Sequence, residues 1–445
     1  MGVGSSSVDL NETNEGCLVA NIVKNVKGLS SNSTSPSDTW ILELKDNVYY
    51  NKQPVTGIFL KYFIDPYSFE NEDINTEEQR VLIQNIYALR YEVSIYRDVI
   101  RPLIDYNICP NFVKYYGSGY SCSRTALVNI LKETGATPIK SEMAVVNATR
   151  YMGNAWSDRP SIDRIWKGDH YSSNDFPVFF PKEVVPKVKY TFLMNEVMPS
   201  EALTLQDAFD KYFVDDTNIL FILYEIFYSC YCMSLTKTNH NDLHFNNIYL
   251  IPRNKRKNIK YQVEGLEPIV IPSDYEIKIF DFDRGYSERI GVNIGNLNKV
   301  RMNYGNNNSF VPIKDFYKLI ITLSRIKQDY IELLSGNNQY MRGVVLKYSQ
   351  DPYSNFYMYN NQYIGDDFLN SLQQPIQIID MIQKALKPDS SNVNMSDLSY
   401  SVNSSMFDDS GKLKLDKRET DLSEEIIRLK QELYKCNNSL KNILY

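Results

Sequence analysis

The octapeptide His240-Asn241-Asp242-Leu243-His244-Phe245-Asn246-Asn247 holds two of the three histidines in a 445-residue chain. Asp242 and Asn247 stand five apart, after an apolar stretch at 218 to 235 and before the strand-like NNIYLI. A second short stretch, YEIKIF, alternates apolar positions and runs into Asp281-Phe282-Asp283. If a hairpin joins the two, it gathers two strand-end carboxylates and a carboxamide. Such oxygen ligands suit Mg²⁺, which takes few protein ligands and keeps several waters. That is one half of a site for phosphoryl transfer. The other half must neutralise phosphate charge, and Lys61, at the end of the strand IFLK, offers a point charge on a rigid element. Glu92, between Leu89 and Tyr96 at helical spacing, borders a buried stripe and can face Lys61, fixing its direction.

The elements that must position these residues are legible in part. From 18 to about 64 the pattern is strand-like (LVANIVKNV, TWILEL, VTGIFLKYFI), with the turn SSNSTSPSD between the first two. Three short strands predict an antiparallel meander. A helix follows, opened by Thr76 with Gln79 as a capping box, carrying Leu82, Ile86, Leu89, Val93 and Tyr96 on one stripe and ending near Pro110. Residues from about 121 to 187 show no strong period and read as an insertion, closed by the strand KYTFLMNEVM. A helical half begins at TLQDAFDKYF. Its stretch 218–235 is apolar enough to suggest a membrane span, but Glu225 in its middle favours a buried helix. The basic run PRNKRKNIK (252 to 260) is read as an insertion between the two strands of the hairpin, solvated, with a phosphorylated partner or a nuclear signal as the sharper alternative. Residues 389 to 411 are rich in Ser, Asn and Asp and read as a flexible linker. Beyond them Leu422, Ile426, Leu429, Leu433, Cys436, Leu440 and Ile443 follow a heptad seam, fitting either self-association through 422–443 or a helix docked on its own domain.

In this order, the pieces resemble the protein-kinase-like superfamily. The family's H-R-D-L-x-x-x-N stands here as His240 to Asn247, its D-F-G as Asp281-Phe282-Asp283, its strand lysine as Lys61 and its helix glutamate as Glu92. Lys314-Asp315-Phe316-Tyr317 resembles the start of the large C-lobe helix. The dialect, HNDLHxxN followed by DFDR and an Asn-rich stretch, is similar to that of the serine/threonine protein kinases of giant DNA viruses related to mimivirus. The resemblance covers roughly residues 18 to 387.

It implies an α+β, bilobal fold: an antiparallel N-lobe sheet with one helix, a mainly helical C-lobe and an added C-terminal helix. The expected divisions are a flexible N-terminus (1–17), an N-lobe (18–198, with the insertion), a C-lobe (199–387), a flexible linker (388–412) and the heptad helix (413–445). It implies ATP and Mg²⁺ as cofactors and a protein substrate. Asp242 would accept the hydroxyl proton, Asn247 and Asp281 would hold the metal, and Lys61 would bind phosphate under the control of Glu92. Gly28, Glu196 and Val197 would line the nucleotide site, while His240 and Asp315 would be structural.

The chain departs from that pattern. No G-x-G-x-x-G is present, and the corresponding turn, Gly28-Leu-Ser-Ser-Asn-Ser, offers one glycine for close backbone approach to phosphate. Position 283 is Asp instead of Gly. Asn241 replaces the arginine that many regulated kinases pair with a phosphorylated segment. No A-P-E lies between Asp283 and Asp315. His244 replaces the usual lysine, and D-L-H also occurs in small-molecule kinases of the aminoglycoside and choline type. Two alternatives therefore stand beside the protein kinase: a catalytically silent scaffold and a small-molecule kinase.

A net charge of -6 and a pI near 5.4 argue against a nucleic-acid surface as the main business of the chain. Six scattered cysteines form no C-x-x-C pair, which points to a reducing, intracellular, cytoplasmic setting: host cytoplasm or virion if viral. The N-terminus has no signal-peptide pattern. Met1-Gly2 with Ser6 fits an N-myristoylation pattern at Gly2, a weak membrane anchor at most.

Overall fold

The computed structural model describes residues 8–10, 22–29, 37–46, 48–66, 77–121, 129, 131–138, 190–210, 216–297, 308–326, 374–386 and 396–414. The fold is mixed α/β, with largely antiparallel sheets and several helices. Its first elements are β1 (Val8–Asp9), β2 (Val23–Leu29), β3 (Ser37–Leu44), β4 (Val48–Tyr50), β5 (Gln53–Pro54) and β6 (Gly57–Ile64). β2, β3 and β6 form the antiparallel meander, extended by β7 (Tyr115–Ser121), β8 (Thr137–Pro138) and β9 (Tyr190–Glu196) into a six-stranded sheet of order β7-β9-β6-β3-β2-β8. Alternation along β6 sorts its side chains between two faces. Ile58, Leu60 and Tyr62 pack into one apolar cluster with Trp40, Leu42 and Phe192. Lys61 lies between Leu60 and Tyr62 in register, so it points to the face from which Phe63 and Leu193 join the second cluster.

That second cluster includes α1 (Glu77–Ile95), whose Ile83, Ile86, Leu89 and Val93 recur at helical spacing and are buried. The helix runs on through a π turn (Tyr96–Ile100) into α2 (Arg101–Asp105), where Pro102 lacks the amide that a continuing helix would use.

The C-terminal half contains β10 (Leu203–Thr204), α3 (Leu205–Asp210), α4 (Asp216–Leu235), β11 (Thr238–Asn239), β12 (Ile248–Val263), β13 (Ile269–Ile279), β14 (Tyr286–Ser287), α5 (Lys314–Ile326), α6 (Pro375–Leu386) and β15 (Leu398–Val402). By length and composition α4 is apolar enough to cross a membrane, yet most of it is buried within the protein, packed on β13 and α6. Glu225 in its centre accepts a 2.8 Å hydrogen bond from Tyr261 Oη on β12. Among the described residues of the half expected to be mainly helical, the long β12–β13 hairpin positions the site.

Three expectations need correction. The basic run 252–260 does not separate two strands: it lies within β12, and the chain turns later, at Gly265 with φ 80°. A bulge between Pro252 and Lys257, together with Lys and Arg on the solvent side, masks an alternation that reappears as buried Ile259, Tyr261 and Val263. The stretch 388–412, expected to be flexible, contains β15, which pairs in parallel with β12 at Ile259 to Val263. Tyr400 and Val402 are buried at a spacing of two within a Ser-rich background, and Phe407 is buried beyond them. Within 1–17, Val8–Asp9 pairs with β4 and Leu10 is buried. The insertion apart from 129 and 131–138, the heptad seam and Gly2 lie outside the described residues.

Candidate active site

The β12–β13 pairing places Ile248 opposite Ile279, so Asn247 immediately precedes a matched pair and Asp281 follows it by two. Phe280 N donates to Asn247 O at 3.2 Å, which holds the two strand ends together. Asn247 Nδ2 donates to Asp242 O at 3.0 Å, so its amide nitrogen is committed and the oxygen remains as the ligand-type atom. Asp281 adopts φ 68°, a left-handed conformation that costs a non-glycine residue about 1–2 kcal/mol.

On the opposite side, Lys61 Nζ lies 2.7 Å from Glu92 Oε2 and 3.5 Å from Asp281 Oδ1. Thus β6, α1 and the end of β13 meet at one ammonium. Burial works against the Lys61 charge, but the carboxylates of Glu92, Asp281 and Asp283 outweigh it and hold the ammonium above its ordinary range. For Glu92, burial pushes the carboxyl up to about 7, with Asp281 and Asp283 adding to the rise and Lys61 opposing it. Three carboxylates around one ammonium leave the site short of positive charge. The donor set fits a hard divalent cation: Asn247 and Asp281 would hold it, both through oxygen. Among the described residues no group of three or more His, Cys, Asp and Glu forms a metal cluster, so such a cation would keep several waters, as Mg²⁺ does.

The loop carrying Asp242 is held from below. Asp315, in the first turn of α5, accepts from His240 N at 2.8 Å and Asn241 N at 3.0 Å, with Asn239 Nδ2 at 3.3 Å. This clamp lets Asn241 take φ 64°. His240 is fully buried: Nε2 donates to Phe280 O at 2.8 Å, Nδ1 faces Asp242 N at 3.4 Å, and the ring packs on Phe282. His240 therefore joins the loop to the β13 end. Phe282 is itself buried, against Tyr96 and Phe112.

Two groups face the Asp242 carboxylate. Arg284 Nη1 lies 3.1 Å from Oδ2, and His244 Nε2 lies 3.7 Å from the same oxygen. Burial pulls the His244 pKa down, more than Asp242 raises it, which favours the neutral imidazole. Buried Lys318, on α5, feels Asp242 and Asp315, but burial dominates and lowers its pKa to about 7. Sequence reasoning missed Arg284 and Lys318, and adjacency of Arg284 to the D-F-D was the only signal for either.

The remaining predicted positions are more scattered. Gly28 lies in β2 opposite Trp40, and residues 30–36 of its turn are outside the described residues. Val197 packs on Gly57, where an added Cβ would come within 3.2 Å of its Cγ2. Glu196 has its side chain committed elsewhere: Oε1 accepts from Lys114 N at 2.8 Å and pairs with buried Lys278 at 3.0 Å. Its backbone is engaged as well, Glu196 N donating to Lys114 O at 3.0 Å.

No family model matches the chain, and no curated protein does. Among solved structures, one similar to it is "WaaP in complex with acyl carrier protein", at 9% identity over 82% of this chain and 90% of that chain. Its TM-score of 0.31 is too low for the likeness to carry an argument. The functional reading rests on the site.

Proposed function

We propose that the chain is a phosphotransferase of protein-kinase-like design, which moves the terminal phosphoryl group of ATP to a hydroxyl, of the serine/threonine type on a protein. One observation carries this reading: Lys61 from the sheet meets Glu92 from the helix at 2.7 Å and Asp281 from the hairpin at 3.5 Å. Three elements distant in sequence converge on one cation, the arrangement needed to hold and orient polyphosphate. On this reading Asp242, on a loop fixed by Asp315, orients an acceptor hydroxyl and takes its proton. Asn247 and Asp281 would hold Mg²⁺, which supplies charge neutralisation on the phosphates when bound.

His244, whose pKa burial pulls down and whose Nε2 lies 3.7 Å from Asp242, supports a second reading with a small-molecule acceptor, as in the D-L-H enzymes the loop resembles. Calorimetric titration with Mg·ATP tests the shared premise. Binding by the intact chain that disappears in Lys61→Met supports a nucleotide site, and equal binding by the variant removes it. Assays with mixed proteins and with aminoalcohol or sugar acceptors then divide the two readings. Binding with no transfer to any acceptor would leave the silent scaffold.

A further inference from the structure

The residue before Glu92 has its own contacts. Tyr91 is buried, and its hydroxyl accepts from Ser287 N at 2.9 Å while donating to Gly291 O at 2.7 Å. Successive helical residues point about 100° apart, so Glu92 faces β6 while Tyr91 grips the segment that follows Asp283. Other contacts run along the same seam. A Cβ at Gly285 would collide with Ile95, and one at Gly295 with Ala88, so both glycines bring that segment directly against α1. Arg289 Nη1 donates to Asp98 O at 2.6 Å.

The segment is braced internally by side-chain amides. Asn293 Nδ2 donates to Asp283 O at 3.1 Å and Gly285 O at 2.9 Å. Asn296 Nδ2 and Asn241 Nδ2 donate to Arg284 O at 3.0 and 3.1 Å. At its start, β14 pairs with β11, and Thr238 Oγ1 donates to Ser287 Oγ at 3.0 Å. Tyr91 therefore ties α1 to β14, whose partner β11 leads into His240 and Asp242.

We infer that Tyr91 is a positioning residue for the Lys61–Glu92 pair, acting through its hydroxyl to fasten the 285–297 segment to α1. The inference rests on the reading of that pair as the phosphate-side element of a phosphotransferase. Apart from that of Arg289, the contacts along this seam are neutral backbone, hydroxyl and amide hydrogen bonds.

The test uses the full chain without nucleotide. Lys61 acetylation by a brief pulse of an N-hydroxysuccinimide ester is followed by peptide mass spectrometry and normalised to exposed Lys384. Glu92→Gln sets the rate for a released lysine. Tyr91→Phe, which keeps the ring, is expected to raise Lys61 labelling by roughly threefold to tenfold, the factor carried by one hydrogen bond. The double variant is expected to label no faster than Glu92→Gln alone, and Gly295→Ala to raise labelling from the other end of the segment. Wild-type labelling in Tyr91→Phe would overturn the inference, as would full multiplication of the two effects in the double variant. Mg·ATP protection of Lys61 in the wild type is scored separately. Its absence beside a raised Tyr91→Phe rate would remove the phosphotransferase reading and leave the positioning intact.

Discussion

Asp315→Asn tests the clamp beneath the Asp242 loop. The carboxylate accepts from two buried backbone amides at 2.8 and 3.0 Å and from Asn239 Nδ2 at 3.3 Å. In asparagine one oxygen becomes an NH₂ donor, so whichever way the amide turns, one backbone N–H faces another donor. A hydrogen bond to a charged group contributes about 1.5–3 kcal/mol, and a buried donor left unpaired costs about 1–3 kcal/mol; the two overlap, giving a net loss of about 3 kcal/mol. Urea unfolding followed by circular dichroism reads it. With a slope of about 3 kcal/mol per M, the midpoint falls by about 1 M. Asp315→Ala, which takes the acceptor from both backbone amides while Asn239 Nδ2 keeps Val311 O at 2.9 Å, falls further. A midpoint for Asp315→Asn within about 0.2 M of wild type, at unchanged slope, would refute the clamp.

Other perturbations follow from the same geometry. Lys61→Met removes the only cation at the junction of β6, α1 and β13 for which a contact with Asp281 is seen among the described residues, and it lowers phosphate transfer by at least roughly a hundredfold in a steady-state assay. Glu225 is pushed up from 4.5 to about 7, chiefly by burial. The folded state then holds that proton more tightly than the unfolded state, so stability falls as pH rises from about 4.5 to 7 and is level above. Glu225→Gln should match wild type near pH 4 and exceed it at pH 8 by up to about 3 kcal/mol in denaturant melts. Tyr400→Ala removes a buried ring tilted against Tyr261 and costs about 3 kcal/mol by the same assay, whereas a true linker residue would cost nothing measurable.

Much of the candidate site was legible because the chemistry proposed for it restricts residue type and order. Asp242, Asn247, Asp281 and Asp315 sit at the ends of short apolar elements, and Lys61 and Glu92 are polar residues at positions whose neighbours are buried. Such interruptions of an apolar pattern stand out. What stayed hidden has no such contrast. Tyr400 and Val402 are buried among serines, where composition speaks for a linker and only parallel pairing with β12 makes a strand. The basic residues of β12 cover a strand whose inward positions are too few before the bulge to show a period. Tyr91 looks like one more core aromatic, since a buried ring and a bridging hydroxyl have the same letter. The contact of Arg284 with Asp242 joins residues 42 apart, and no local pattern announces it.

The most direct measurement of the central claim is Mg²⁺-dependent transfer of the terminal phosphate of ATP, compared between the intact chain and Asp242→Asn. Asp242→Asn keeps the size of the side chain, so Mg·ATP binding should persist while transfer falls by roughly a hundredfold or more, the range typical for loss of a positioned base. Transfer at the same rate in both proteins would contradict the account.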